Sequence, residues 1–368
     1  MEKETKDRLQ RFACALINQE TANILVEPQG ESEGFWFGGG TVLCDNDGVF
    51  WLCGRYRNHG DSRTGVGSGE RGLELAIFSS VSVLGPWEKK KSFTKKELDN
   101  GNAEVVSIEG ASLFIGSAGV ELFLSTEKNR SYPSKVIDYQ KKGTGIWDID
   151  VIASDSVVGL DTSSIRTAIR SDDLGSLHVK DPVVFQVPGG NDETGLLFCS
   201  HPYTWASSNT GLAVRESGQE QFKIESFNAL TRGDSWDVAC TRITDRLSVP
   251  PLGVFSGMPP ISIYFYDGAE CLRSLEESTV GVPRSRGFSC EEIGGMAVGF
   301  DELFPEIFRI SSYAPMFVSP HGTGCSRYVS TLATADGILA TWQQSQENFS
   351  QPLVGNFLPV EQIEEILS

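Results

Sequence analysis

The stretch "GGTVLCDNDGVFWLCGRYR", residues 39–57, reads as strand, hairpin, strand. Its two apolar runs are β-branched and aromatic, and Asp47-Gly48 between them is a dipeptide that tight hairpin turns favour. From residue 72, "GLELAIFSSVSVLGPWEKKKSF" adds a third strand and a Gly-Pro-Trp turn leading into a fourth. The same order then returns along the chain. "EGASLFIGSAGVELFLSTEKN" (109–129) precedes "GIWDIDVIASDSV" (145–157), and "KDPVVFQVPGGNDETGLLFCSHP" (180–202) precedes "TGLAVRESGQEQFKIESF" (210–227). "RITDRLSV" from residue 242 with "ISIYFYDG" (261–268), and "RYVSTLATADGILATWQQS" (327–345), fill two more places.

Repetition at this period is the mark of an all-β repeat architecture. Five units are expected, at about residues 35–93, 103–160, 176–230, 236–285 and 312–350, within a single domain spanning 1–368. Their natural closed form is a five-bladed β-propeller of four-stranded antiparallel blades, which leaves only short sheet edges exposed. The N-terminal "TANILVEP" (21–28) is available to supply a strand that closes the ring. Helical periodicity is confined to the first dozen residues and to the C-terminal "PVEQIEEILS". The cationic run "KKKSFTKK" (89–96) reads as an exposed hairpin loop.

The 368 residues carry a formal net charge of −18. That balance argues against nucleic acid or an anionic membrane as partner, since either needs a basic surface. No apolar run reaches eighteen residues, and "MEKETKDRLQRFACALI" is charged where a signal peptide is apolar, so the expectation is a soluble, cytoplasmic chain. The eight cysteines are scattered singly, without a C-x-x-C pair or zinc-like spacing to histidine. They read as reduced side chains, and no metal or cofactor is expected. His59, His178, His201 and His321 fall in four separate loops.

In a propeller, residues that begin innermost strands share one channel mouth with residues that end second strands. The first set is Gly39 and Gly40, Glu109, Asp181, Arg242 and Arg327; the second is Arg55, Arg57, Glu127, His201, Tyr203, Tyr266, Asp267, Trp342 and Gln343. Arg55 and Arg57 are two apart in a strand and so share a face, where planar guanidinium groups suit carboxylate, phosphate or vicinal hydroxyls. Each candidate also has a plainer reading. Asp181-Pro182 is a good turn former, Glu109 is also the solvated residue ahead of a strand, and Asp267 in "YDG" is also a hairpin signal. Trp36, Trp51, Tyr203, Tyr266 and Trp342 are either sugar-stacking platforms or core between blades.

Three features of the chain resemble the five-bladed propeller glycosidases, the superfamily of arabinanases, arabinofuranosidases, β-xylosidases, invertase-like enzymes and mannoside phosphorylases, with family 43 among them. They are the inner-strand "KDPVVF" (180–185), the S-x-S-x-x-G-P-W phrase of Ser80–Trp87, and "RYV" at 327–329. The resemblance implies carboxylates at the inner-strand starts of successive blades, which here gives Glu109 and Asp181. The first blade departs from the pattern, with "FWFGGGTV" (35–42) placing glycine where an Asp is expected. Asp267 and Glu74 are the candidates to replace it.

The chemistry implied is glycosidic cleavage by an acid and a second carboxylate. Glu109 is expected as the acid and Asp181, beside Lys180, as the group that stays ionised, with the roles exchangeable. Glu74, Lys180, His201, Tyr203, Arg55, Arg57, Arg242, Tyr266, Arg327 and Trp342 are expected to bind a short oligosaccharide or glycoside, and the arginines offer a place for an anionic one. Two alternatives stand beside hydrolysis. One is a phosphorylase whose arginines hold inorganic phosphate; the other is a non-catalytic carbohydrate-binding or interaction propeller, for which the missing Asp speaks.

Overall fold

The computed structural model describes residues 1–58, 72–99, 103–117, 119–203, 207–270 and 292–368. His59 lies outside them. Five antiparallel sheets form a five-bladed propeller. The first blade orders Trp36–Gly38 and Val42–Cys44 on its inner side, then Phe50–Arg57, Glu74–Ser80 and Glu88–Thr94. The second runs outward through Val105–Gly116, Gly119–Lys128, Ile146–Ser154 and Arg166–Ile169. The third comprises His178–Gln186, Thr194–His201, Asn209–Arg215 and Lys223–Leu230.

The fourth sheet consists of Cys240–Ser248, Ile261–Ala269, Ile293–Phe300 and Phe308–Arg309, so it continues past residue 285. Its third strand, "IGGMAVGF", gives little strand signal because three of its eight residues are glycine. Packing explains two of them: a Cβ on Gly294 would sit 2.9 Å from Phe317, and one on Gly295 2.7 Å from both Trp236 and Tyr266. In the fifth sheet, Ser326–Thr334, Gly337–Gln344 and Leu353–Pro359 are completed by Asn23–Val26, which pairs antiparallel with Leu353–Pro359. The two ends of the chain therefore meet in one blade, which closes the ring. The cationic run expected as a loop lies mostly in the outer strand Glu88–Thr94, at a sheet edge, and only Lys95 and Lys96 fall in the turn that follows.

Each seam between blades is a separate apolar core. Between the first and second blades, Leu75, Ile77 and Phe93 meet Leu122, Leu124 and Ile152; between the third and fourth, Leu197 and Leu212 meet Trp236 and Ile243. The largest core lies between the fourth and fifth blades, where helices Lys3–Leu16 and Val360–Leu367 add Leu9, Phe12, Leu16, Ile363 and Leu367. Both helices present one apolar face to that seam, which is what their periodicity requires.

Candidate active site

Every innermost strand breaks register where it passes the channel axis. In the second blade Ile108 pairs with Thr126 but Ala111 with Leu124, so Glu109 and Gly110 oppose one residue. Asp181-Pro182 in the third blade and Tyr328-Val329 in the fifth sit in the same kind of bulge, and the fourth shifts between Ile243 and Asp245. In the first blade Gly39–Thr41 interrupts the inner strand altogether. A bulge bends the strand and re-aims a side chain. Gly39, Asp181 and Tyr328 occupy equivalent places with φ of 71°, 55° and 55°. Left-handed backbone is free for glycine, modest in cost for Asp, and a genuine outlier for a bulky Tyr.

The bulges converge on a buried network of charges. Arg55 Nε and Nη2 donate to Glu109 Oε2 at 3.0 and 2.9 Å, and Arg57 Nη2 donates to Oε1. Arg242 holds three acids: Nη1 lies 3.1 Å from Asp181 Oδ2 and 3.0 Å from Glu292 Oε1, and Nη2 lies 2.8 Å from Asp267 Oδ2. Arg327 pairs with the other oxygen of Glu292. Asp181 Oδ1 accepts the Gly110 N–H at 2.9 Å and the Tyr328 O–H at 3.3 Å, while the Ser125 hydroxyl accepts the Asp181 N–H at 2.7 Å. Lys180 Nζ stands 3.9 Å from Asp181 Oδ2 and 5.5 Å from the Trp147 ring centre. The Tyr328 ring lies under three guanidinium groups, with its centre 4.1 Å from Arg242, 5.3 Å from Arg55 and 5.5 Å from Arg327.

Of the residues expected at the mouth, Arg55, Arg57, Glu109, Lys180, Asp181, Arg242, Asp267 and Arg327 are brought together. Asp267 lies within a strand, paired with Arg242, and does not form a turn. His178 and His201 also differ from expectation. They are cross-strand partners, stacked 4.4 Å apart beside Lys180, because their blades' first and second strands meet there. His201 thus borders the site; Tyr203, 5.0 Å from the exposed Tyr139, stands on the rim.

Three expected residues are elsewhere. Glu74 pairs with Lys89 on the outer strands of the first blade, two strands from the axis, and cannot replace a first-blade acid. Tyr266 alternates with Asp267 and so faces the core between the third and fourth blades, stacked on Trp236 at 5.5 Å and donating to Asp237. Trp342, next to Gln343, points by the same alternation into the core between the fourth and fifth blades. Glu292 and Tyr328 are site residues that the strand reading passes over. Aligning "KDPV" with "RYVS" sets Tyr328 on Asp181 and reveals it; nothing comparable marks Glu292.

No protein-family model and no curated protein matches this sequence. Solved structures do match in shape. A thermostable family-43 glycoside hydrolase is 12% identical over 90% of this chain and 91% of that chain, with a TM-score of 0.56. An α-L-arabinofuranosidase from Lactobacillus brevis is 10% identical, covering 92% and 93% with a TM-score of 0.57. A family 117 glycoside hydrolase from the marine bacterium Zobellia galactanivorans is 11% identical, covering 93% and 91% at 0.54. The fold is that of the five-bladed glycoside-hydrolase propellers.

Within this propeller the environment of each acid differs. Burial by itself raises the Glu109 carboxyl, but Arg57 and Arg55 more than offset it and hold the group well below its usual range. The expected acid is therefore an ionised carboxylate, as a pair of touching guanidinium groups requires. Glu292 is likewise lowered to about 2, with Arg242 and Arg327 outweighing burial. Asp267 goes the other way, to about 6, because burial and then Glu292 outweigh Arg242. His178 is pushed down to about 3 by burial and by Lys180, so the imidazole is neutral at pH 7.

These directions fix an acid limb of stability. A carboxyl depressed in the folded state contributes above its unfolded value, and the contribution is lost as pH falls through the folded one. The drop at Glu292 from 4.5 to about 2 is worth on the order of 3 kcal/mol at neutral pH, and Glu109 adds to it in the same sense. Between pH 4.5 and 7 the raised Asp267 and the lowered His178 have opposite signs and offset each other. Acid unfolding followed by tryptophan fluorescence is expected to set in below pH 4.5. A chain keeping its full urea stability at pH 3 contradicts the paired assignment.

Proposed function

We propose that the axial mouth cleaves a glycosidic bond in a short sugar that carries an anionic group. The observation that supports this reading is the convergence, in a glycoside-hydrolase fold, of carboxylates from the second, third and fourth blades with arginines from the first, fourth and fifth. Among the described residues five cations, Arg55, Arg57, Lys180, Arg242 and Arg327, surround four carboxylates, Glu109, Asp181, Asp267 and Glu292. A locally cationic mouth on a chain of net charge −18 attracts an anionic sugar and repels little of it.

Asp181 is the base in this reading. Glu109 and Glu292 are fully engaged with guanidinium groups, whereas Asp181 also touches the hydroxyl of Tyr328 and borders the axial recess. Glu109 and Glu292 position Arg55, Arg57 and Arg327, and Asp267 holds Arg242 in place. Cys14, Cys44, Cys53, Cys199 and Cys240 are thiols outside any disulfide, which supports an intracellular setting.

A panel of nitrophenyl glycosides and oligosaccharides, neutral and uronic, tests the reading. Turnover of a uronic member without phosphate is the expected result, and the absence of cleavage across the panel counts against it. Phosphorolysis is the second reading, favoured by Gly39, which leaves the inner strand of the first blade without a carboxylate at the axis. Cleavage that starts only when inorganic phosphate is added selects it.

A further inference from the structure

Gly39 leaves a place on the axis, and two side chains fill it. A Cβ on Gly39 would lie 3.4 Å from Arg55 Cζ and 3.5 Å from Tyr328 Cζ. Both side chains thus stand at van der Waals contact with the place where a first-blade side chain would begin. The phenol of Tyr328, arriving from the fifth blade, therefore stands where the family resemblance puts a first-blade carboxylate. It lines the axial recess together with Gly39, Gly40, Gly110, Asp181 and Thr244.

Backbone conformation points the same way. Tyr328 holds φ at 55°, a cost of about 1–3 kcal/mol that the surroundings must enforce. They do so through its N–H, which donates to both oxygens of Asp267 at 3.2 and 3.0 Å. Its hydrogen-bond partner Asp181 is the other non-glycine inner-strand residue with positive φ. Two strained residues in equivalent bulges thus face each other across the axis through one O–H···O contact.

We infer that Tyr328 is the nucleophile of this site, with Asp181 as its general base and the arginines as its electrostatic support. The inference rests on the glycosidase reading above. Asp181 Oδ1 takes the phenol proton as Tyr328 Oη bonds to the anomeric carbon and the glycosidic C–O bond breaks; the departing oxygen takes a proton from water at the mouth. Water then adds to the anomeric carbon, the C–Oη bond breaks, Oη recovers its proton from Asp181, and the proton lost by water returns to solvent. A tyrosine nucleophile has precedent among glycosidases.

Physical chemistry supplies the reason for a phenol here. An ionised carboxylate pressed against an anionic sugar pays like-charge repulsion, whereas a neutral phenol does not. Burial raises the Tyr328 hydroxyl well above its usual range, so the group is neutral at rest and needs the adjacent base. As charge develops on Oη, Arg242 and Arg55, which already flank the ring, stabilise it without reorganisation.

The test is covalent trapping. Wild type and Tyr328→Phe, which keeps the ring between its arginines, are incubated with fluorosugar glycosyl fluorides of neutral and uronic sugars and analysed by intact mass and peptide mapping. Their turnover and melting temperatures are measured alongside. The expected result is one glycosyl unit on the peptide containing Tyr328, no labelling of Tyr328→Phe, and a fall in its turnover of at least about 10³-fold with unchanged melting. A label on a carboxylate, inversion of the anomer without any adduct, or full activity in Tyr328→Phe overturns the tyrosine while keeping the glycosidase. No turnover and no label with any sugar overturns both.

Discussion

Replacing Arg242 by methionine is expected to lower the free energy of unfolding by about 3–5 kcal/mol, the range found when one partner of a buried ion pair is removed. Arg242 is 2% exposed and its two terminal nitrogens satisfy Asp181, Asp267 and Glu292 together. Methionine fills much of the volume but donates nothing, so three carboxylates are left in low dielectric with less than their full set of donors. Asp267 suffers most, since burial already holds it near 6 with the guanidinium present. The loss should shrink as pH falls and the orphaned acids take up protons. Urea denaturation at pH 7 and pH 5 measures both effects; a change under about 1 kcal/mol at pH 7 means that the network is not what holds the mouth together.

Asp181→Asn is expected to reduce turnover by about 10²–10⁴-fold, the usual worth of a positioned general base. The substitution suits the backbone, because asparagine tolerates the left-handed region as aspartate does and Asp181 sits at φ 55°. Its carbonyl still accepts from Gly110 N–H and Tyr328 O–H in place of Oδ1. What it cannot do is take a proton, and its amide N–H₂ faces the Arg242 donor where a carboxylate oxygen stood. Activity on the substrate found by the glycoside panel, read beside circular dichroism, separates chemistry from folding. Turnover within about threefold of wild type removes Asp181 from the mechanism.

The blades were legible because strands announce themselves locally. Alternating β-branched residues, the Asp47-Gly48 turn and the repeat of inner-strand phrases need no knowledge of distant contacts. Legibility failed where glycine replaced that signal, as in Ile293–Phe300, whose strand identity depends on Phe317, Trp236 and Tyr266 packing onto bare backbone. It failed also for "KKKSFTKK", where solvent exposure on a sheet edge mimics a loop.

Parts of the site were legible for the same reason. Glu109 and Asp181 open the bulges of their inner strands, Arg242 and Arg327 stand just ahead of theirs, and topology alone sends these neighbouring places to the axis. Alternation within second strands was the weak point. Tyr266 and Trp342 neighbour Asp267 and Gln343 in sequence yet face the opposite side, and only the register tells which of each pair meets the channel.

Sequence by itself determined the fivefold repeat, the availability of an N-terminal strand to close the ring, the absence of an acid at Gly39 and the accumulation of arginines at the channel mouth. Tertiary structure decided the pairing. That Arg55 and Arg57 seize Glu109 and keep it ionised, that Glu292 enters from a third strand, and that Tyr328 fills the space over Gly39 all depend on distances between blades. Proton affinity and reach are properties of a surrounding field and volume, and residues remote in the chain build both.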